Sequence, residues 1–212
     1  MPEHYDSYVG IDLGLNDHTA ILFAYYNFLD RSLVIEDEWV SNGKNTKEIV
    51  EAAKRREMQL FPKTVYKRIA DNEIQQLYDM QTMFNYYVEP TQKDDKLSAV
   101  NALRLRFTQR RIKIKKRCVN LRYQLKVGSW NDKRTSFMRG DKIGHLDTID
   151  AAVYLNRGIV ESRNPYPDLS GGHITTHYIP VKDLPENKNQ DVAKAFEFDM
   201  GTEAPFDGST IF

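Results

Sequence analysis

Two aspartates about one helical turn apart, Asp147 and Asp150, open the apolar stretch GHLDTIDAAVYL at residues 144–155. Positions i and i+3 share a helix face, so both carboxylates would point to the same side. Two further acids stand where extended segments stop. Asp12 lies in YVGIDLG, and Asp71 lies in VYKRIADNE with Glu73 two residues on. Each admits a purely structural role. Asp12 before Leu-Gly can end a strand through a side-chain turn, Asp71 can cap a following helix, and Asp147 with Asp150 fits the N-cap and N3 positions of a capping box. As a set they fit a different chemistry. If the strands that end at Asp12 and Asp71 are parallel neighbours, their carboxyl ends lie side by side. A helix crossing that edge with Asp147 and Asp150 in its first turn completes a cluster. Closely packed carboxylates repel, and a divalent cation neutralises them. All-oxygen ligation with open water positions suits Mg²⁺ or Mn²⁺. His145 is a further candidate, as a ligand or as a group that positions a phosphate.

The elements needed to gather these acids are legible in the pattern. SYVGIDLG, TAILFAYYN and SLVIEDEWV read as three successive strands with short links, the second link a turn near Phe28–Asp30, hence an antiparallel meander. NTKEIVEAAKRREMQLF places Ile49, Val50, Ala53 and Leu60 at helical spacing, with Asn45 or Thr46 as cap. A strand (TVYKRIAD), a helix (NEIQQLYDMQTMF), an extended piece (YYVEP) and a helix through Leu97, Val100, Leu103 and Phe107 follow. RIKIKK reads as a strand, VNLRYQLKVGSW as a helix closed by Gly128, and the final helix starts at Asp147. This order predicts an α/β fold with a mixed sheet, three antiparallel strands first and later strands reached by helical crossovers. The pattern is similar to the ribonuclease H-like fold.

At 212 residues, 41% of them hydrophobic, the chain is long enough to bury a core in one ordinary domain. No run reaches transmembrane length, and MPEHYDSYVG lacks the features of a signal peptide. Cys118 is the lone cysteine, so no disulfide framework exists and a reducing cytosol is the default compartment. The net charge of zero hides a segregation. Residues 161–212 hold nine acids against four bases, leaving 26 bases and 21 acids in residues 1–160. Within RLRFTQRRIKIKKR, residues 104–117, eight residues are basic and none is acidic. Such a run is either a solvated face or a surface for a polyanion.

YVGIDLG, RIADNE, IKIKKRCVNLRYQL and GHLDTIDAAVYL, in that order from about residue 5 to residue 160, resemble the nuclease domain of the large terminase subunit of tailed bacteriophages. Histidine followed by spaced aspartates and Ala-Ala-x-Tyr is the most specific part. The resemblance implies a metal-dependent endonuclease that cuts concatemeric double-stranded viral DNA at the start and end of genome packaging. It implies two-metal-ion phosphodiester hydrolysis, with two Mg²⁺ or Mn²⁺ ions roughly 3.5–4 Å apart. Asp12 would bridge both ions, Asp71 would serve one, and Asp147, the stronger ligand of its pair, would serve the other with Asp150. A lysine is also implied after the extended piece, either Lys93 or Lys96 in EPTQKDDK, although its surroundings depart from the small residues usual there. Arg104, Arg110, Arg111, Lys113 and Lys115 are candidates for phosphate contacts that read no sequence.

The partners implied are double-stranded DNA, an ATPase domain of the same polypeptide, the portal and the small terminase subunit, in the cytoplasm of an infected bacterial host. The domain alone would be a monomer. The chain contains no G-x-x-x-x-G-K-[ST], so it carries no P-loop motor sequence. We read it as an excised C-terminal domain with Pro2 to Tyr8 as interdomain linker. Residues 1–161 form the expected nuclease domain. Residues 162–212, rich in Pro, Gly and Asn, form an expected extended, partly disordered acidic tail with one short helix near Val192–Phe198. That tail, or the ATPase domain, would restrain an unselective nuclease. Holliday-junction resolvases are similar in the same acids and differ in substrate. GIDLG also opens the phosphate hairpin of actin-like ATPases and sugar kinases, which need a second glycine-rich loop and a longer chain. A non-catalytic module whose acids are caps and turns is the remaining alternative.

Overall fold

The computed structural model describes residues 1–14, 18–92, 94–131, 136–138 and 145–163. The elements follow the expected order: β1 (Tyr5–Asp12), β2 (His18–Asn27), β3 (Ser32–Asn42), α1 (Thr46–Leu60), β4 (Lys67–Ala70), α2 (Ile74–Phe84), β5 (Glu89–Pro90), α3 (Lys96–Thr108), β6 (Ile112–Ile114), α4 (Val119–Val127) and α5 (Asp147–Gly158). The sheet runs β5-β4-β1-β2-β3-β6. β1, β2 and β3 pair antiparallel, whereas β4 joins β1, β5 joins β4 and β6 joins β3 in parallel. This is the mixed arrangement expected from the sequence, three antiparallel strands with parallel strands to either side.

Both faces of the sheet are covered, which is why β1 and β2 read as nearly continuous apolar runs. Alternation sorts their side chains. Ile11, Ile21 and Phe23 pack with Ile49 and Val50 of α1 and Met80 of α2. Tyr8, Leu22 and Tyr26 pack on the other face with Val100 and Leu103 of α3, Leu121 of α4 and Ile149 of α5. α1 begins at a complete capping box between Asn45 and Glu48. α4 has no side-chain cap of its own. A carboxylate from the sheet supplies it: Glu38 accepts the N–H groups of Asn120 at 2.6 Å and Leu121 at 2.9 Å.

Several expectations are adjusted. Tyr5 to Tyr8 belong to β1 and are buried, so they are sheet rather than linker. Only Glu89–Pro90 of YYVEP pairs as β5, and Pro90 has no N–H to extend the ladder. β6 keeps three residues of RIKIKK and docks at the far edge from β5. Arg106, from the basic run, is buried and ties α3 to Asn156 at 2.7 Å and Glu161 at 2.6 Å. The segment after α5 remains part of the body, because Glu161 also meets Tyr26 and Arg163 bonds Asp6 at 2.8 Å. The rest of the expected tail, from residue 164 and including Val192–Phe198, lies outside the described residues.

α5 reaches the sheet at two glycines. A Cβ on Gly10 would lie 2.6 Å from the Ala151 carbonyl oxygen, and one on Gly158 would lie 2.3 Å from Ile69 Cγ1. Gly10→Val is therefore expected to push α5 off β1 and to cost about 1–3 kcal/mol. Chemical denaturation would show a lowered midpoint with little change in slope; an unchanged midpoint would mean that the helix does not seat this closely.

Candidate metal centre

Asp12 is the last residue of β1, and Asp71 follows the last residue of β4. The parallel register pairs Ile11 with Ala70, which puts the two aspartates on neighbouring strand ends about 5 Å apart at the backbone. α5 delivers Asp147 and Asp150 to the same place, and all four line one cavity of about 340 Å³. The capping roles open at the level of sequence are not the ones adopted. α5 has Leu146 as N-cap with no side-chain cap bond, leaving Asp147 and Asp150 inside the first turn. α2 starts after Glu73, again without a side-chain cap bond. Asp71 is buried and accepts the Asn72 N–H at 2.6 Å. The first turn of α5 still favours carboxylates through the helix dipole.

The electrostatics are those of crowded anions. Loss of hydration, then the charges of Asp150, Asp147 and Asp71, hold the Asp12 carboxyl well above the usual carboxylate range, and Lys96 opposes them. Lys96 Nζ lies 2.8 Å from Asp150 Oδ1 and 4.0 Å from the centre of the Phe137 ring. The Tyr154 hydroxyl is pushed up by burial and by Asp12, Asp150 and Asp71. His145 Nδ1 stands 3.9 Å from Asp147 Oδ1.

Among the described residues, no three His, Cys, Asp or Glu side chains converge closely enough to enclose an ion by themselves. Repulsion spreads uncompensated carboxylates, and the Lys96 ammonium draws Asp150 to itself. The four carboxylates are nevertheless an all-oxygen donor set, with Asp12 half-buried among three like charges. A hard divalent cation fits that chemistry.

Other expected site residues fall elsewhere. Lys93 lies outside the described residues. Arg104, Arg110, Arg111, Lys113 and Lys115 do not line the cavity. Lys113 pairs with Asp30 at 2.6 Å and Lys115 with Glu36 at 3.8 Å, at the β6 edge with β2 and β3 between it and β1. Lys96, one of the two candidate lysines, lines the cavity. His18, Gln92 and Arg157 also line it without having been expected there, as does Tyr154, the tyrosine of the Ala-Ala-x-Tyr motif. Asp150, Tyr154 and Arg157 recur at i, i+4 and i+7, a spacing that would have pointed to a shared helix face. Arg157 donates to the carbonyls of Gln92, Asp94 and Asp95 and to the Asp94 carboxylate, and so ties down the loop that leads to Lys96.

Among known proteins, no family model and no curated protein matches the chain. Solved structures do. The large terminase of the thermophilic bacteriophage D6E superposes with a TM-score of 0.62 at 16% identity, over 74% of this chain and 40% of that one. The large terminase (g2p) nuclease domain of bacteriophage SPP1, solved with bound Mn, gives 0.55 at 17% identity, over 72% of this chain and 85% of that one. The P22 large terminase nuclease domain gives 0.58 at 12% identity, over 74% and 84%. This chain thus spans about two fifths of the D6E protein but most of the two nuclease domains. At such identities the likeness is one of architecture. No helix among the described residues is long and apolar enough to cross a membrane. The chain has the fold of large terminase nuclease domains, with four carboxylates gathered where its first and fourth strands end.

Proposed function

We propose that the chain is a metal-dependent endonuclease of the large terminase type, cutting concatemeric double-stranded viral DNA during genome packaging. The observation that carries this reading is the convergence of Asp12, Asp71, Asp147 and Asp150 on one cavity, within a fold shared with nuclease domains. These four carboxylates would hold two Mg²⁺ or Mn²⁺ ions, with Asp12 between them, Asp71 on one side and Asp147 with Asp150 on the other. When bound, such ions activate water and stabilise the leaving oxygen of a phosphodiester.

The remaining groups act around that centre. Lys96 offsets the excess negative charge near Asp150 and would offer an ammonium to an entering phosphate. The Tyr154 hydroxyl, pushed up further by burial and the neighbouring carboxylates, would serve as a hydrogen-bond donor rather than a base. The bases of the α3–β6 region, Arg104, Arg110, Arg111, Lys113 and Lys115, would hold phosphates away from the reacting bond without reading sequence. The chain would act in the cytoplasm of the infected bacterial host, with an ATPase domain, the portal and the small subunit as partners, and as a monomer by itself.

Supercoiled plasmid incubated with the protein and Mn²⁺ is expected to be nicked and then linearised, with EDTA stopping the reaction. Linear duplex and four-way junctions should be cut at similar rates. Cleavage that persists in EDTA would overturn the metal-dependent reading, and a strong preference for junctions would overturn the packaging role.

A further inference from the structure

The first turn of α5 carries two of the four carboxylates yet has no side-chain cap from its own N-cap residue. The partner comes from α4. Gln124 Oε1 accepts the Thr148 N–H at 3.0 Å and also the Thr148 hydroxyl, while Gln124 Nε2 donates to the His145 carbonyl at 3.0 Å. One amide therefore grips the chain on both sides of Asp147. Thr148 is fully buried, so water does not compete for its hydroxyl.

α4 is itself held by the sheet through Glu38, which accepts from Asn120 and Leu121 at its first turn. At its other end, a Cβ on Gly128 would lie 3.0 Å from Ile149 Cδ1 and 3.3 Å from Leu146 Cδ1. The last turn of α4 and the first turn of α5 are thus in close contact, and Gln124 is the polar latch between them.

We infer that Gln124 is a positioning residue of the metal centre: it sets the rotation and height of the first turn of α5 and thereby where Asp147 and Asp150 present their oxygens. The inference rests on the reading of those two aspartates as ion ligands. Only a primary amide provides both functions here. Glutamate would lack the donor for the His145 carbonyl, and methionine would lack donor and acceptor alike. Ligands must be held to within about 0.5 Å of their working geometry, and loss of a group that orients a ligand weakens metal binding about 10–100-fold.

Calorimetric titration of the full chain with Mn²⁺, beside cleavage kinetics on a linear duplex, tests this. Gln124→Ala is expected to weaken Mn²⁺ binding by about tenfold or more, with kcat lowered and KM for duplex unchanged. Thr148→Val keeps the backbone N–H bond and removes only the hydroxyl, so it should weaken binding by a smaller, measurable factor. Thr148→Ser, which restores the hydroxyl, should bind Mn²⁺ like the wild type. If Gln124→Ala fails to fold by circular dichroism, the Thr148→Val and Thr148→Ser pair decides. Folded variants that all bind Mn²⁺ as the wild type does would overturn the positioning role and leave the metal reading standing. Absence of any Mn²⁺ heat from the wild type would overturn both.

Discussion

Replacing Asp12 by Asn is expected to lower cleavage on the order of a thousandfold, as for loss of a central electrostatic group, and to raise the stability of the metal-free protein. The two effects share a cause. The Asp12 carboxyl is held well above the usual carboxylate range by lost hydration first, then by Asp150, Asp147 and Asp71. The native state therefore binds this proton more tightly than the unfolded chain does. Stability falls with rising pH wherever the native state binds more protons. In EDTA, wild-type stability should thus decline as pH rises from about 4, the ordinary value for aspartate, toward the raised native value. Asn carries no such charge, so the advantage of Asp12→Asn is absent at acidic pH and grows toward neutrality.

Urea denaturation in EDTA at pH 5 and pH 7.5 measures that difference. Saturating Mn²⁺ should reverse the ranking, since an ion at 100 times its Kd adds about 2.7 kcal/mol to a protein that binds it and Asp12→Asn would lack the central ligand proposed above. If Asn destabilises the metal-free protein at pH 7.5, Asp12 is a structural carboxylate and the cluster is not a frustrated ion site. A general loss of fold would lower stability in both buffers, so it is distinguishable from loss of the ion.

Much of this architecture is written in local pattern, because the sheet is covered on both faces and its strands separate cleanly from amphipathic helices. β1, β2 and β4 end at Asp12, Asn27 and Ala70, close to the turn-forming residues that bound their apolar runs. The acids at the ends of β1 and β4 stand out for the same reason. What pattern does not carry is which face or edge an element takes. The basic run of residues 104–117 reads as one surface, yet Arg106 turns inward to Glu161 while Lys113 and Lys115 meet acids of the β3 region. The position of β6 beside β3 depends on the crossover through α3, and three residues of IKI hold no information about which edge receives them. Lys96 and Lys93 are alike by composition. Only the loop fixed by Arg157 and capped at Asp95 brings Lys96 to Asp150. Gln124 gives no signal at all, because its partners lie 21 and 24 residues away, at His145 and Thr148.

The second large effect falls outside the cavity. Glu57 on α1 is buried and accepts Arg68 Nε at 2.8 Å, Arg68 NH2 at 2.6 Å and the Tyr86 hydroxyl at 2.6 Å. The Arg68 guanidinium also lies 4.5 Å from the Tyr86 ring centre. One carboxylate thus joins α1, β4 and the chain that enters β5. Glu57→Ala leaves a mostly buried guanidinium without its counter-ion and a buried phenol without its acceptor, a change that costs about 3–5 kcal/mol. For a folded body of this size that corresponds to a fall in Tm of roughly 10 °C. Glu57→Gln keeps one of the two acceptor oxygens and should cost about 1–3 kcal/mol. Arg68 sits on β4 three residues before Asp71, but the backbone there is paired to β1 from Lys67 to Ala70. Below its Tm, Glu57→Ala should therefore still bind Mn²⁺ with near wild-type affinity. Thermal unfolding with and without Mn²⁺ measures both quantities. A Tm within 2–4 °C of wild type, the shift expected for only about 1 kcal/mol, would show that the network contributes little. A Tm drop accompanied by lost Mn²⁺ binding in the folded protein would show that Glu57 holds the strand end as well as the fold.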